Sequence, residues 1–212
     1  AMLMLPDVAT AAIEANVALK RVEAFLGLPE LQARPAGRNQ PGSLHLKAAS
    51  WDWQPGIVAL SDVDLEIKRG ELVCVVGQVG SGKSALLQGI LAEIPLTGGS
   101  AEISGSVAFV SQQAWIQNDN IRNNILFGVP YDAERYEKVV QASGLSADLQ
   151  EFPDGDQTEI GERGINLSGG QKQRISLARA AYADADIYLL DDSLSALDNK
   201  VGALVYEVLV CG

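Results

Sequence analysis

Cysteine and histidine are almost absent from this chain of 212 residues, which has two cysteines, Cys74 and Cys211, and one histidine, His45. The cysteines stand far apart and in no metal-ligand spacing, so no metal site is read from them and the setting is read as reducing and cytosolic. Cys74 sits inside an apolar run and is expected to be a small core residue. His45 is read as an exposed strand residue without a role. No run of about 18 apolar residues occurs, which excludes a complete membrane span within the chain, and there is neither a signal-peptide pattern nor an internal repeat. Basic charge is scarce: 16 Lys and Arg against 27 Asp and Glu leave a net charge of −11. That argues against a nucleic-acid binder, which needs a basic face. It does not argue against a phosphate ligand, whose site is local and built largely from backbone dipoles. With 47% apolar and 20% charged residues, the composition is globular and supports a sizeable core. The length fits one domain plus an appendage.

The most informative segment is Gly77-Gln78-Val79-Gly80-Ser81-Gly82-Lys83-Ser84, a G-x-x-x-x-G-K-[ST] string directly after the apolar run Leu72–Val76. A strand that feeds a glycine-rich turn and then a helix makes an anion cradle. Backbone N–H groups and the helix N-terminus point into it and favour a nucleotide's phosphates. Gly77, Gly80 and Gly82 let the backbone approach the ligand and take φ > 0 where needed. Lys83 would reach the β- and γ-phosphates, and the Ser84 hydroxyl would ligate Mg²⁺. A chance match in a glycine-containing turn is the weaker reading, because the flanking strand and helix are the confirming context.

Val8, Ala12, Ala15, Leu19, Val22 and Leu26 recur at spacings of three and four, which predicts a helix over 7–26 with one apolar stripe and Asp7 as N-cap. The Pro- and Gly-rich stretch 29–42 reads as a linker. Strands are expected at 45–53, 57–67, 72–76, 101–103, 107–110 and 187–190, with Thr97–Ser100 as a turn. Helices are expected at 84–93, 168–183 and 199–210. Between 121 and 146 the periodicity is helical, as in an inserted subdomain. Strands alternating with helices predict an α/β fold with a parallel part.

Two further strings bear on chemistry. Ile187-Tyr188-Leu189-Leu190-Asp191-Asp192 is an apolar strand ending in two acids. In a protein with a phosphate loop, such a strand delivers a carboxylate beside Mg²⁺. Asp191 would hold the cation through its water shell, and Asp192 would stand near the attacking water. Alone, the segment reads more readily as a strand ending in a solvated acidic turn; its order after the phosphate loop favours the functional reading. Leu167-Ser168-Gly169-Gly170-Gln171-Lys172-Gln173-Arg174 opens another helix with free N–H groups, a positive dipole end and a hydroxyl. Two phosphate-seeking helix ends cannot easily serve one nucleotide within one compact domain. A sandwich, in which the second end faces another domain's nucleotide, resolves this.

Together with Val110-Ser111-Gln112-Gln113-Ala114-Trp115-Ile116-Gln117 and Ser195-Ala196-Leu197-Asp198, these strings resemble the nucleotide-binding domain of ATP-binding-cassette (ABC) transporters, in the family's order, over about residues 44–198. Gly77–Gly80, Gln113–Asn118 and Asn124–Gly128 are similar to the first such domain of subfamily C, the multidrug-resistance-associated proteins. The resemblance implies an α/β P-loop NTPase fold with a mixed sheet core, an N-terminal antiparallel β part and an inserted helical subdomain at about 114–175. It sets the domain at 44–212, truncated at its C-terminal end. Residues 1–28 resemble the cytosolic end of the last helix of a preceding transmembrane domain, and 29–43 the linker. The implied whole is an integral membrane transporter of a plasma or vacuolar/organellar membrane, with this domain on its cytosolic face. Its implied activity is an ATPase coupled to export of organic anions, conjugates or xenobiotics. ATP and Mg²⁺ are the implied cofactors. The implied partners are a second nucleotide-binding domain, the transmembrane domains and an organic-anion cargo, with no nucleic acid.

Residue by residue, Trp53 resembles the aromatic that stacks on adenine, with Trp51 as its alternative. Gln112 resembles the glutamine that touches Mg²⁺ and senses the γ-phosphate; Gln113 is the lesser candidate. Ser168, Gly169, Gly170 and Gln171 would bind the γ-phosphate of ATP held by the opposite domain, and Ser195–Asp198 would lie at the interface. Two departures stand out. Asp192 occupies the place of the family's catalytic glutamate, and a base misplaced by about 1 Å can lose ~10²-fold in rate, so this domain's own site is expected to hydrolyse slowly. The family's γ-phosphate histidine has no counterpart, and a fragment of this kind is expected to have almost no ATPase activity alone. The rival readings are a regulatory or channel-gating member of subfamily C, and a soluble cassette ATPase of DNA repair or translation. Acidic charge and the helix plus linker ahead of the cassette speak against the last.

Overall fold

A computed structural model describes residues 5–28, 40–161, 167–193 and 195. The chain divides into two units, residues 1–33 and 34–212. The first contains α1 (Leu5–Leu26). Asp7, expected as the N-cap, lies within these bounds. Val8, Leu19, Val22 and Leu26 of the expected stripe are exposed. Among the described residues, no helix is long and apolar enough to cross a membrane.

The second unit opens with β1 (Ser43–Gln54) and β2 (Ile57–Ile67), an antiparallel pair. β1 also pairs antiparallel with β3 (Leu96–Ser104), so the sheet order is β2-β1-β3. Leu44, Leu46, Ala49 and Trp51 of β1 are buried and pack with Ile90, Ile94, Ile103 and Leu189. Thr97–Ser100, expected as a turn, is part of β3. Its glycines answer to close backbone approach: Gly99 has φ +69°, and a Cβ there would run into the Ala48 carbonyl. Glycine inside a strand marks such a contact as readily as a turn.

The second sheet is parallel and two-stranded, β4 (Val107–Val110) beside β5 (Ile187–Leu190). The connection between them carries α3 (Ile121–Leu126), α4 (Ala133–Ala142), α5 (Ser146–Glu151) and α6 (Gly169–Ala183). These helices close over their own core of Ile121, Ile125, Leu145, Ile160, Ile175 and Tyr182. Their starts are fixed locally: Asn120 accepts from Asn123 N–H and Asp132 from Arg135 N–H, each an N-cap. The antiparallel part, the parallel strands and the helical insert agree with the sequence. The described strands form two sheets and no single mixed one.

One expected strand does not form. Leu72–Val76 belongs to neither sheet, and Leu72, Val73, Val75 and Val76 are exposed. An apolar run becomes a strand only where a neighbour takes its backbone N–H and C=O groups, and none does so among the described residues. Cys74, expected in the core, is exposed with it. The helix expected at 199–210 lies outside the described residues.

The phosphate-loop helix α2 (Lys83–Ile90) sits on the first sheet through Ala85, Ile90 and a close approach at Gly89. Gly89 faces the indole of Trp51, and a Cβ on it would come within 2.8 Å of the ring. Overpacking a rigid buried ring outweighs the better helix propensity of alanine. Gly89→Ala is therefore expected to lower the unfolding free energy by about 1–3 kcal/mol, measured by urea unfolding; a stabilised variant would show that Trp51 does not seat this helix.

Candidate functional site

The glycine loop is shaped by backbone. Gly80 and Gly82 have φ of +81° and +92°, in the left-handed region that glycine enters freely. Gly77 has no such angle, but a Cβ on it would lie 2.6 Å from Ser81 Oγ, so a side chain there would have to turn the serine hydroxyl aside. Gly82 caps α2 without any side-chain hydrogen bond, which leaves the leading N–H groups of the helix for a ligand. Lys83 Nζ folds back over the loop and donates to the carbonyls of Gly77 at 3.0 Å and Gln78 at 2.8 Å. The loop borders an open cavity of about 270 Å³ walled on its apolar side by Leu60, Val63 and Leu86.

The parallel strands bring the remaining polar groups to this loop. Val110 of β4 lies level with Leu190 of β5, and Asp191 N–H donates to Val110 O at 2.9 Å, carrying the ladder one step further. The residues two beyond each strand then face each other: Gln112 Nε2 donates to Asp192 Oδ2 at 3.2 Å. One residue earlier, Asp191 Oδ1 accepts from Ser84 Oγ at 3.1 Å, so the strand-end carboxylate and the hydroxyl of the loop meet. Asp192 has φ +47°, a region where Asp is among the better tolerated side chains.

These residues fit a magnesium-bound nucleoside triphosphate. The cradle is one that a Cβ would block, a lysine ammonium stands at its lip, and a hydroxyl–carboxylate pair adjoins it. Among the described residues no group of three or more His, Cys, Asp or Glu gathers as a metal cluster. A hydroxyl, a carboxylate and an amide oxygen suit a hard cation that keeps most of its waters. Of the two candidate tryptophans, Trp51 is 1% exposed and spent in the core, whereas Trp53 is 49% exposed and offers a ring face. Gln113 contributes its backbone carbonyl to Ser111 Oγ at 2.7 Å.

The second helix end is built differently. Ser168 caps α6 by a full capping box: its Oγ accepts from Gln171 N–H at 3.2 Å, and Gln171 Oε1 accepts from Ser168 N–H at 2.9 Å. Gly169 has open space around it. The Gln171 amide is thus engaged with the cap, and its Nε2 donates to Asp148 Oδ1 at 3.2 Å. Asp148 is buried and pairs two-pronged with Arg174, both contacts at 2.7 Å. Gln173, fully buried, donates to Ser111 O at 3.3 Å and ties α6 to the segment that carries Gln112. Arg179 lies over the rings of Trp115 and Phe127 and donates to Trp115 O and to both oxygens of Asn124; burial pulls its pKa down to about 10. Asp148, Gln173 and Arg179 were not candidates in the sequence. No local pattern marks them, since each acts on a partner more than 20 positions away. Of the expected interface string, Ser195 Oγ donates to Asp192 O at 2.8 Å, and Ala196–Asp198 lie outside the described residues.

A glycine loop and its Lys-Ser pair facing the carboxylate end of a parallel strand define a P-loop nucleoside-triphosphate-binding domain. The profile of the family described as "ABC transporter" matches residues 60–195. The chain is 48% identical over 207 residues to ABC transporter C family member 8 of Dictyostelium discoideum, covering 96% of this chain and 13% of that protein. It is 49% identical over 210 residues to ATP-binding cassette sub-family C member 2 of Rattus norvegicus, covering 98% and 14%. It is 44% identical over 211 residues to ATP-binding cassette sub-family C member 3 of Homo sapiens, covering 98% and 14%. The chain belongs to the ABC transporter family, and these relatives are sub-family C proteins. It spans about one seventh of their length.

Because the Ser168 oxygen accepts a first-turn N–H of α6, Ser168→Ala is expected to cost about 1 kcal/mol of unfolding free energy, and Ser168→Asp a few tenths at most. Urea unfolding of the three proteins checks this; equal stability of Ser168→Ala and the parent would show that the cap contributes nothing.

Proposed function

We propose that the chain is the ATP-binding and weakly hydrolysing cassette of an ABC exporter, the first of two such domains in a longer sub-family C protein. The observation that carries this is the meeting of Ser84 and Asp191 at 3.1 Å beside the Lys83 loop. In this reading residues 44–212 are the nucleotide-binding domain, with the helical subdomain at about 114–175. Residues 29–43 are the linker, and 1–28 are the cytosolic end of the last helix of the preceding transmembrane domain. The length of the relatives supports a larger whole with a second nucleotide-binding domain, transmembrane domains and an organic-anion, conjugate or xenobiotic cargo.

Bound at the loop, magnesium and the triphosphate supply an electrophilic phosphorus and a neutralising charge. The chain's own residues do the rest. The backbone of Gly77–Ser84 cradles the phosphates, and Lys83 exchanges its carbonyl partners for phosphate oxygens. Ser84, Asp191 and Gln112 hold the hydrated cation, Trp53 stacks on the base, and Asp192 orients water through its Gln112-held carboxylate. Ser168, Gly169 and Gly170 complete the nucleotide site of the opposite domain. The short Asp192 side chain makes hydrolysis here slow.

In the full-length protein in membrane vesicles, Lys83→Ala removes charge-assisted bonds each worth about 1.5–3 kcal/mol. Nucleotide affinity at this site is then expected to fall by about ten- to a hundredfold; unchanged photolabelling by an ATP analogue would refute the reading. Asp192→Glu, which restores the missing methylene, is expected to raise turnover at this site by about tenfold or more, read as single-site hydrolysis. An unaltered rate with normal ATP binding would show that the short side chain is not what limits it.

A further inference from the structure

Asp148, on α5, touches no residue of the phosphate loop, yet it controls the other nucleotide-facing end of the chain. Its carboxylate is buried at 8% residue exposure and accepts three hydrogen bonds. Two come from Arg174, Nε to Oδ2 and Nη2 to Oδ1, both at 2.7 Å, and the third from Gln171 Nε2 to Oδ1 at 3.2 Å. Gln171 in turn accepts Ser168 N–H through its Oε1 at 2.9 Å. A backbone N–H only donates, and an ionised carboxylate only accepts. Placed between them, the Gln171 amide has a single orientation that satisfies both neighbours, oxygen toward Ser168 and nitrogen toward Asp148. The carboxylate therefore fixes the amide, the amide fixes the Ser168 backbone, and the Ser168 side chain is left with its own O–H as a free donor while its oxygen accepts Gln171 N–H at 3.2 Å.

We propose that Asp148 is a positioning residue for the start of α6, holding Ser168, Gly169 and Gly170 in the arrangement in which they serve the opposite domain's nucleotide, and that Gln171 acts through this relay and not as a phosphate ligand. The proposal rests on the reading of α6 as the second half of a shared nucleotide site. It follows from the physics of the triad. Arg174 alone would anchor Asp148 without any bearing on the cap; the shared Oδ1, which takes both Arg174 Nη2 and Gln171 Nε2, couples the ion pair to the cap. A carboxylate accepts at both of its oxygens and answers the guanidinium charge, so Arg174 and Gln171 are satisfied together. An uncharged amide at position 148 would present one oxygen and one nitrogen, and the nitrogen would meet a guanidinium that cannot accept.

The test uses the full-length protein in membrane vesicles, with Mg-ATP as the probe. Asp148→Asn is compared with Asp148→Glu, and with the exchange Asp148→Asn/Gln171→Glu. The exchange keeps the local charge and moves the carboxylate to position 171, where it can accept from Ser168 N–H, from the amide introduced at position 148 and from Arg174. Three quantities are read on each: nucleotide-binding stoichiometry, ATP affinity at the phosphate loop, and steady-state turnover. The expected result for Asp148→Asn is unchanged stoichiometry, loop affinity within twofold of the parent, and turnover lower by about tenfold or more. Turnover in the exchange variant should recover by at least threefold over Asp148→Asn. A purely bracing role would lower stoichiometry and turnover in the same proportion, and that outcome overturns the proposal. So does parental turnover in Asp148→Asn. If Asp148→Asn does not fold, Asp148→Glu and the exchange variant decide: turnover reduced in the first with full stoichiometry supports the relay, and parental turnover in both overturns it. Ser168→Ala and Lys83→Ala separate the two levels of the argument. If neither alters turnover, the shared-site reading itself fails; if both do and the Asp148 variants do not, only the relay fails.

Discussion

The in-register parallel pairing of β4 with β5 governs the whole site. Four residues on each strand, Val107–Val110 and Ile187–Leu190, are apolar enough to be held between the helices and the first sheet, and the pairing runs out together at Val110 and Leu190. Parallel strands end on the same edge, so whatever follows them is delivered to one place. That is why residues 80 positions apart, Gln112 and Asp192, come within 3.2 Å, and why Asp191 reaches the phosphate-loop hydroxyl. A register slip of one residue would turn each side chain to the opposite face. Gln112 would then be separated from Asp192, and Asp191 from Ser84, without any change in the motifs themselves. The helical insert secures this register from outside: Gln173 on α6 donates to Ser111 O, gripping the chain at the step between β4 and Gln112.

Two helix N-termini in one chain are capped in opposite ways. Gly82 caps α2 with left-handed backbone and no side chain, so every leading N–H of that helix is left for a ligand. Ser168 and Gln171 close a reciprocal box on α6, which spends the Ser168 and Gln171 N–H groups internally. The first end keeps its leading N–H groups unspent by any side-chain cap; the second has fewer donors to offer. Beneath that box Arg174 and Asp148 are side chains 13% and 10% exposed, and removal of one partner of so buried a pair leaves the other charge uncompensated.

What the sequence made legible was local. The glycine loop, the cap of α6 and the apolar run before Asp191-Asp192 each carry their physics within eight residues, and each lies where the pattern put it. Leu72–Val76 failed because a strand is a relation between two segments, and apolar composition speaks for only one of them. Cys74 failed with it for the same reason. Thr97–Ser100 failed because glycine serves both turns and close backbone approach, and only the partner, here Ala48, decides which. The choice between Trp51 and Trp53 was left open by alternation, since residues two apart share a face of a regular strand. Register shifts in β1 at Trp51/Asp52 and Asp52/Gln54 break that regularity and leave one ring buried and the other half-exposed. Asp148 was invisible because its partners lie 23 and 26 positions along the chain.

The same logic explains the state of Asp192. Its backbone is left-handed at φ +47°, its carboxylate is held by Gln112, and its carbonyl accepts from Ser195 Oγ. Three constraints meet on one residue, one on its side chain and two on its backbone, and Asp tolerates that backbone better than a longer residue does. The hydrogen bond at 3.2 Å ties Asp192 to Gln112 across 80 positions of sequence, through side chains whose alignment depends on two short strands ending level.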